Sequence, residues 1–232
     1  MFDAKKLLDQ FLGSQIPGLS GSVKGRADQV GGFARNNPLK AGALAAAILG
    51  TKTGRKLAGN VATLGGIAAV AGLGYLAYRN YQSGKAPQSG PVDPSALQPP
   101  AGSPFNFESP SLSNDFALTL LRAMIAAAKA DGHIDAFERQ KIMEKVHEVD
   151  LGAEAEAFLS KELADPIDLD ALVAAGRTEE QRVEIYTASR LAIDPDTRAE
   201  RGYLDLLAGR LKLPDPLIDH IEATVSSAKV SL

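Results

Sequence analysis

The most constraining feature of the sequence is an uninterrupted run of uncharged residues in its first third. The twenty-two residues 57–78 carry no charge, and Lys52, Arg55, Lys56 and Arg79 flank them. A helix of that length rises roughly 30 Å, which is the thickness of the hydrocarbon core of a bilayer. The run therefore predicts a single transmembrane helix, at about residues 57–78, within a Gly/Ala-rich membrane region of residues 38–81.

Small residues are frequent in this run, and their spacing predicts self-association. Ala62 with Gly66 and Ala68 with Gly72 are four residues apart, which places each pair on one face of a helix. Small residues let two membrane helices approach closely. The alternative interpretation is that residues 39–80 form a helical hairpin buried within a soluble protein.

The segment before this run is basic and predicts contact with a membrane surface. Residues 1–56 contain nine Lys or Arg against three Asp, and residues 2–12 have the pattern of an amphipathic helix that could lie on lipid. Residues 13–37 are loose and rich in glycine. Close to the span, the N-terminal side carries two more lysines and arginines than the C-terminal side. This difference favours a cytoplasmic N-terminus. No basic motif with interleaved aromatic residues occurs, which argues against a nucleic-acid partner.

Residues 82–113 are rich in proline, glycine and serine and predict an extended linker. Such a linker would hold the following domain at a distance from the membrane. Two interpretations remain for the apolar side chains of Phe105, Phe107 and Leu112: they dock on that domain, or they belong to its disordered lead-in.

Residues 114–232 predict an all-α bundle, because apolar residues recur at helical spacing throughout and no segment alternates as a strand does. Phe116, Leu120 and Met124 form one such stripe. Thr178 with Gln181 has the spacing of a capping box, and Thr197 with Glu200 opens another helix. The absence of cysteine excludes thiol catalysis, disulfides and zinc–thiolate sites.

Two helix junctions, residues 130–138 and 192–200, are acidic, and the first carries a resemblance. The run from Met124 to Asp135 resembles the signature of the tellurite-resistance TerB-like helical domain, and residues 188–208 resemble its second half. The full layout is similar to the YebE-like family of uncharacterised bacterial inner-membrane proteins. This resemblance implies a single-pass inner-membrane location, a TerB-like fold and a role in envelope or metal stress, without implying a reaction.

The resemblance also implies a divalent-metal site at the acidic junctions. The matching positions are Asp131, Asp135, Glu138, Asp194 and Glu200. Carboxylates one helical turn apart can share a hard cation such as Ca²⁺. The competing interpretation is helix capping, since acidic residues near a helix N-terminus are favoured by the helix dipole.

The function predicted from these features is that of a non-enzymatic module, held at a membrane, that binds a protein partner or senses an ion. The alternative is a metal-dependent enzyme that uses the acidic junctions. Glu144 and His147 have the spacing of a di-iron ligand pair, but no second such pair occurs in the sequence.

Overall fold

The computed structural model describes residues 66–106, 113–131, 140, 143, 147 and 153–230. Its described helices are α1 Gly66–Gln82, α2 Asn114–Ala128, α3 Ala153–Ala164, α4 Leu169–Ala175, α5 Glu179–Ala192, α6 Arg198–Leu211 and α7 Asp215–Val230, with a short 3-10 helix at Pro94–Leu97. Within these ranges no strand occurs. The predicted all-α class is therefore confirmed for this part of the chain.

Helix α5 lies at the centre of the bundle, and α2, α1 and α7 pack around it. Its residues 183–192 are all buried. On the facing helix α2 the predicted stripe of Phe116, Leu120 and Met124 is buried as well. The Ser189 hydroxyl donates a hydrogen bond to the Ala123 carbonyl at 3.3 Å, which ties the two helices together.

Local sequence signals set where these helices begin. Thr178 and Gln181 form the predicted capping box at the start of α5. Thr197 and Glu200 form a second one at the start of α6. A side chain that accepts a hydrogen bond from an otherwise unpaired N–H at a helix start stabilises the protein by about 1 kcal/mol.

Helix α1 differs from the prediction for the uncharged run. Its residues 69, 70, 73, 76 and 77 are buried in the same core as the apolar side chains of α2, α5 and α7. Protein therefore surrounds α1 where a transmembrane helix would meet lipid. The reason for the difference is that a helix buried on all sides and a helix in lipid both require an uncharged sequence. The first part of the predicted span, residues 57–65, lies outside the described residues.

None of the helices in the described ranges has the length and apolar character that crossing a membrane demands.

The predicted linker also differs from expectation. Residues 83–106, which we call the strap, fold back over α1 and place Leu97 and Phe105 in the core. Asp93 caps the N-terminus of the 3-10 helix within the strap, and its side chain accepts a hydrogen bond from the Ser95 N–H. The docking interpretation of Phe105 is thus confirmed. Phe107 and Leu112 lie outside the described residues.

Candidate functional site

The predicted metal-ligating residues differ from one another in their surroundings. Asp131 is exposed in the turn after α2. Asp135 and Glu138 lie outside the described residues. Glu200 accepts hydrogen bonds from the N–H and the hydroxyl of Thr197, at 2.8 and 2.9 Å. For Glu200 the capping interpretation therefore holds.

Asp194 lies between α5 and α6 and faces two cations. Its Oδ1 accepts a hydrogen bond from the Lys229 Nζ at 2.7 Å and lies 3.6 Å from Nη1 of Arg190. An ion pair with two cations neutralises the carboxylate that a metal would use. Over the described ranges no group of three or more His, Asp or Glu side chains could hold a metal ion. A divalent metal site at the acidic junctions stays a prediction.

The Arg190 side chain is the centre of a buried polar network that fastens α7 to α5. Arg190 is 5 % exposed. Its guanidinium donates to Glu222 at 2.5 Å, to the Ser226 hydroxyl at 3.0 Å and to the Ile193 carbonyl at 2.8 Å. Tyr186 donates to the other oxygen of Glu222 at 2.9 Å. The hydrogen bonds to Glu222 and Ser226 link α5 to α7, and the one to Ile193 lies at the C-terminal end of α5 itself.

Lys229 completes this network at the end of α5. It is 7 % exposed and donates to the carbonyl of Ile193 at 2.8 Å, besides Asp194. Burial, followed by the repulsion of Arg190, lowers the pKa of Lys229 from 10.5 to about 8. Two cations thus satisfy the last carbonyls of α5, where the helix dipole favours positive charge. The network therefore pairs both buried cations with acceptors at this junction.

A second arrangement is open to solvent and is the better candidate for a binding site. A half-open cavity of about 750 Å³ lies between α2, α3 and α4, and we call it the α2–α4 groove. The apolar part of its lining, which we call the floor, consists of the nearly buried Ile125, Ala126 and Leu172 together with Ile167, which is 37 % exposed. Around it stand four cations and four acidic residues: Arg122, Lys129, Lys161, Arg210, Glu162, Asp165, Asp168 and Asp170.

Ion pairs occupy the rim of the groove. Arg122 contacts Glu162 at 2.8 Å, and its side chain is 41 % exposed. Lys161 pairs with Asp165, and Arg210 of α6 pairs with Asp170 of α4. The hydrogen bond from Lys161 to Asp165 raises the pKa of that lysine.

Lys129 lies deeper than the rim pairs, at the C-terminal end of α3. Its ammonium group donates to the main-chain carbonyls of Glu162, at 3.1 Å, and Asp165. Burial lowers the pKa of Lys129 against the attraction of the two nearby carboxylates. Asp168 accepts a hydrogen bond from the Ala171 N–H and caps α4. The groove therefore combines an apolar floor with charges of both signs, which suits it to binding.

Comparison with known proteins gives the following relationships. The chain matches the family described as "Protein of unknown function (DUF533)" over residues 34–225. It is 33 % identical over 113 residues, which cover 49 % of this chain and 81 % of the relative, to the "Uncharacterized protein in ampR 5'region" of Yersinia enterocolitica. No solved structure matches the chain.

Proposed function

We propose that this chain, which belongs to the DUF533 family, is a non-enzymatic interaction module whose α2–α4 groove binds a segment of a partner protein. The observation that carries the proposal is the groove itself, about 750 Å³ of half-open space with an apolar floor and a charged rim. Binding sites in proteins combine these two features, since apolar contact supplies affinity and a few polar groups fix orientation.

The rim favours a partner that carries charges of both signs. The pairs Lys161–Asp165 and Arg210–Asp170 have largely exposed side chains. Exposed ion pairs contribute only about 0–1 kcal/mol to stability. Replacing these pairs by ion pairs with a partner's charges would therefore cost the folded protein little. An apolar side chain of the partner would then contact Ile167, which is 37 % exposed in the lining of the groove.

The crosslinking test uses two exposed apolar positions as a matched pair. Ile167 lines the groove and is 37 % exposed, whereas Leu206 of α6 is 55 % exposed and does not line it. A photoreactive amino acid replaces either residue in the full chain, and crosslinks are formed in the cells that produce the protein. We expect a discrete crosslinked species from position 167 alone.

A charge variant decides whether that species reports the groove. In the full chain with Lys161→Glu and Arg210→Glu, two rim cations are reversed, so the crosslink from position 167 should be lost. The control Lys212→Glu reverses an exposed cation outside the lining of the groove. The proposal fails if positions 167 and 206 give the same species, or if the rim variant leaves the crosslink unchanged.

We further propose that the module is held at a membrane, as the YebE-like layout implies, and that residues preceding α1 make the contact. The reason is that α1 itself is enclosed by protein. The cations Lys52, Arg55 and Lys56 and the amphipathic pattern of residues 2–12 are what an anionic lipid surface attracts.

Vesicle flotation tests the membrane contact. The full chain should float with vesicles that contain phosphatidylglycerol and should float much less with neutral phosphatidylcholine vesicles. A Lys52→Gln/Arg55→Gln/Lys56→Gln variant should lose most of the difference. Equal flotation with both lipids would point to insertion of an apolar segment, and recovery of the protein below the gradient with both would end the proposal.

A further inference from the structure

The α2–α4 groove has room for a further chain segment, which the surface of α1 does not. On α1 the strap is already in place, because a methyl group at Gly72 would overlap the Leu97 carbonyl oxygen. The α2–α4 groove is half open over about 750 Å³, and Ile167 of its lining is 37 % exposed. Pockets of roughly 300–1,000 Å³ can bury several groups of a ligand. Among the described residues, it is therefore this groove that can take an occupant.

The sequence before α1 contains a segment whose pattern fits such a groove. Residues 2–12 lie outside the described ranges, and their sequence predicts an amphipathic helix. In a helix Ala4, Leu7, Leu8 and Phe11 would share one face, since they follow the spacing i, i+3, i+4, i+7. This is the spacing with which a helix presents its anchors to an apolar groove.

The charges of this segment complement the rim of the groove. In a helix with 3.6 residues per turn, Asp3 and Lys5 fall on opposite edges of the apolar face. The rim offers countercharges of both signs in the exposed pair Lys161–Asp165 and again in the pair between α6 and α4. The apolar run of residues 39–50 carries a single charge, so it matches the rim less well.

The segment is also close enough to reach the groove. Residues 13–65 connect it to α1, and a glycine-rich chain of about fifty residues spans roughly 40 Å. A domain of about 120 residues has a radius of gyration of about 14 Å, so such a tether reaches any part of its surface. The tether gives an effective concentration on the order of 0.1–1 mM, at which even a weak contact is populated.

We infer that residues 2–12 occupy the α2–α4 groove in cis, and that an anionic membrane opens the groove by binding the same apolar face. This assignment rests on the proposed function, because it supplies the regulation of that groove and uses the proposed lipid contact. The apolar face can be buried in the groove or in lipid, but not in both. Lys5 and Lys6 favour the anionic surface. The groove is then free for a partner protein only where the chain lies on a membrane.

Photo-crosslinking within the purified full chain tests this arrangement. A photoreactive amino acid replaces Ile167, and the monomer band is digested with trypsin and analysed by mass spectrometry. We expect crosslinks to the fragment of residues 7–24, and none from the control position 206. Vesicles that contain phosphatidylglycerol should reduce the crosslink from position 167 by about fivefold, because lipid shifts the population of the segment. Phosphatidylcholine vesicles should leave it nearly unchanged.

A pair of variants separates a groove contact from chance proximity. Leu8→Ser with Phe11→Ser removes two apolar anchors and should abolish the crosslink to residues 7–24. The control Asp9→Ser alters the opposite face of the predicted helix and should leave the crosslink in place. Circular dichroism of the full chains checks that both variants keep the helical content of the unaltered protein.

The outcomes distinguish this inference from the proposed function. If position 167 gives no crosslink to residues 7–24 in the purified chain but still captures a partner in cells, the inference is wrong and the partner-binding groove stands. If the cis crosslink forms, but Leu8→Ser with Phe11→Ser captures no partner in cells, the groove serves the chain's own segment and partner binding is wrong.

Two further results would overturn the inference on its own terms. Equal crosslinking with and without phosphatidylglycerol vesicles would exclude control of the groove by a membrane. Crosslinks to residues 7–24 that occur only in a dimer band would mean that a second copy supplies the segment, in place of the cis contact.

Discussion

Replacing Glu184 by glutamine should change how the stability of the protein depends on pH. Glu184 is 4 % exposed in the central helix α5. Burial, followed by the repulsion of Glu180, raises its pKa from 4.5 to about 8. Between these two values the folded protein holds a proton on Glu184 that the unfolded chain has released.

The sign and the size of the effect follow from this difference. A group whose folded-state pKa is raised contributes stability below its unfolded-state pKa, and that contribution is lost as the pH rises through the folded-state pKa. The slope is up to about 1.4 kcal/mol per pH unit, and over the whole window the loss sums to about 5 kcal/mol as an upper bound. The side chain introduced by Glu184→Gln cannot ionise, so this variant should lose none of that stability as the pH rises.

The assay is urea unfolding of the full chain and of Glu184→Gln at a series of pH values from about 5 to about 8.5. We expect the stability of the variant relative to the unaltered chain to increase steadily across this range. The control Glu180→Gln removes a more exposed carboxylate on the same helix and should leave most of the slope in place. Parallel stability curves for the unaltered chain and Glu184→Gln would refute the reasoning, because they would mean that Glu184 is ionised in the folded state.

Three further predictions concern the strap and the buried network. Gly72→Ala should destabilise the full chain by about 1–2 kcal/mol in urea unfolding, because the loss of Leu97 burial outweighs the roughly 1 kcal/mol gain in helix propensity, whereas Gly74→Ala should be neutral or stabilising; equal stability of the two variants would contradict the contact. The pKa of Lys229 is lowered to about 8 in the folded protein, so the unaltered chain should gain stability relative to Lys229→Met as the pH rises from about 8 to about 10. A difference in thermal unfolding that stays constant over this range would contradict the lowered pKa. Asp194→Asn should lower the melting temperature equally with and without added Ca²⁺ or Mn²⁺, because its carboxylate pairs with Lys229, and a loss seen only with metal would identify Asp194 as a ligand.

Helix positions in the described bundle could be predicted from the sequence because their signals are local. Thr178 with Gln181 and Thr197 with Glu200 mark helix starts through hydrogen bonds that span three residues. The apolar stripe of α2 reports its buried face for the same reason. These features depend on near neighbours in the chain, so one sequence suffices to find them.

The surroundings of α1 could not be predicted in this way. An uncharged helix rich in alanine and glycine suits lipid and a protein core equally, and the deciding contacts come from α5 and α7, far along the chain. Gly72 looked like part of a helix-pairing face, whereas it contacts Leu97 of the same chain. The proline-rich strap similarly has the composition of a linker, and only its two buried residues, Leu97 and Phe105, distinguish it from one.

The candidate site was the least predictable part. The α2–α4 groove brings together residues 119–129, 161–172 and 210, and no spacing in the sequence indicates that these stretches meet. Asp194 was identified as an acidic residue at a junction, but its partners Arg190 and Lys229 belong to two different helices. A signal was present in Arg190, a cation within the apolar part of α5, because such a residue requires a buried partner.

The packing of α1 against α7 has a consequence for biosynthesis. These helices lie at opposite ends of the described chain, since α1 ends at Gln82 and α7 begins at Asp215. At a synthesis rate of about 5–20 residues per second, the apolar face of the nascent α1 waits for several seconds or longer before its partner leaves the ribosome. During that interval a chaperone or a lipid surface can occupy the place that α7 later takes.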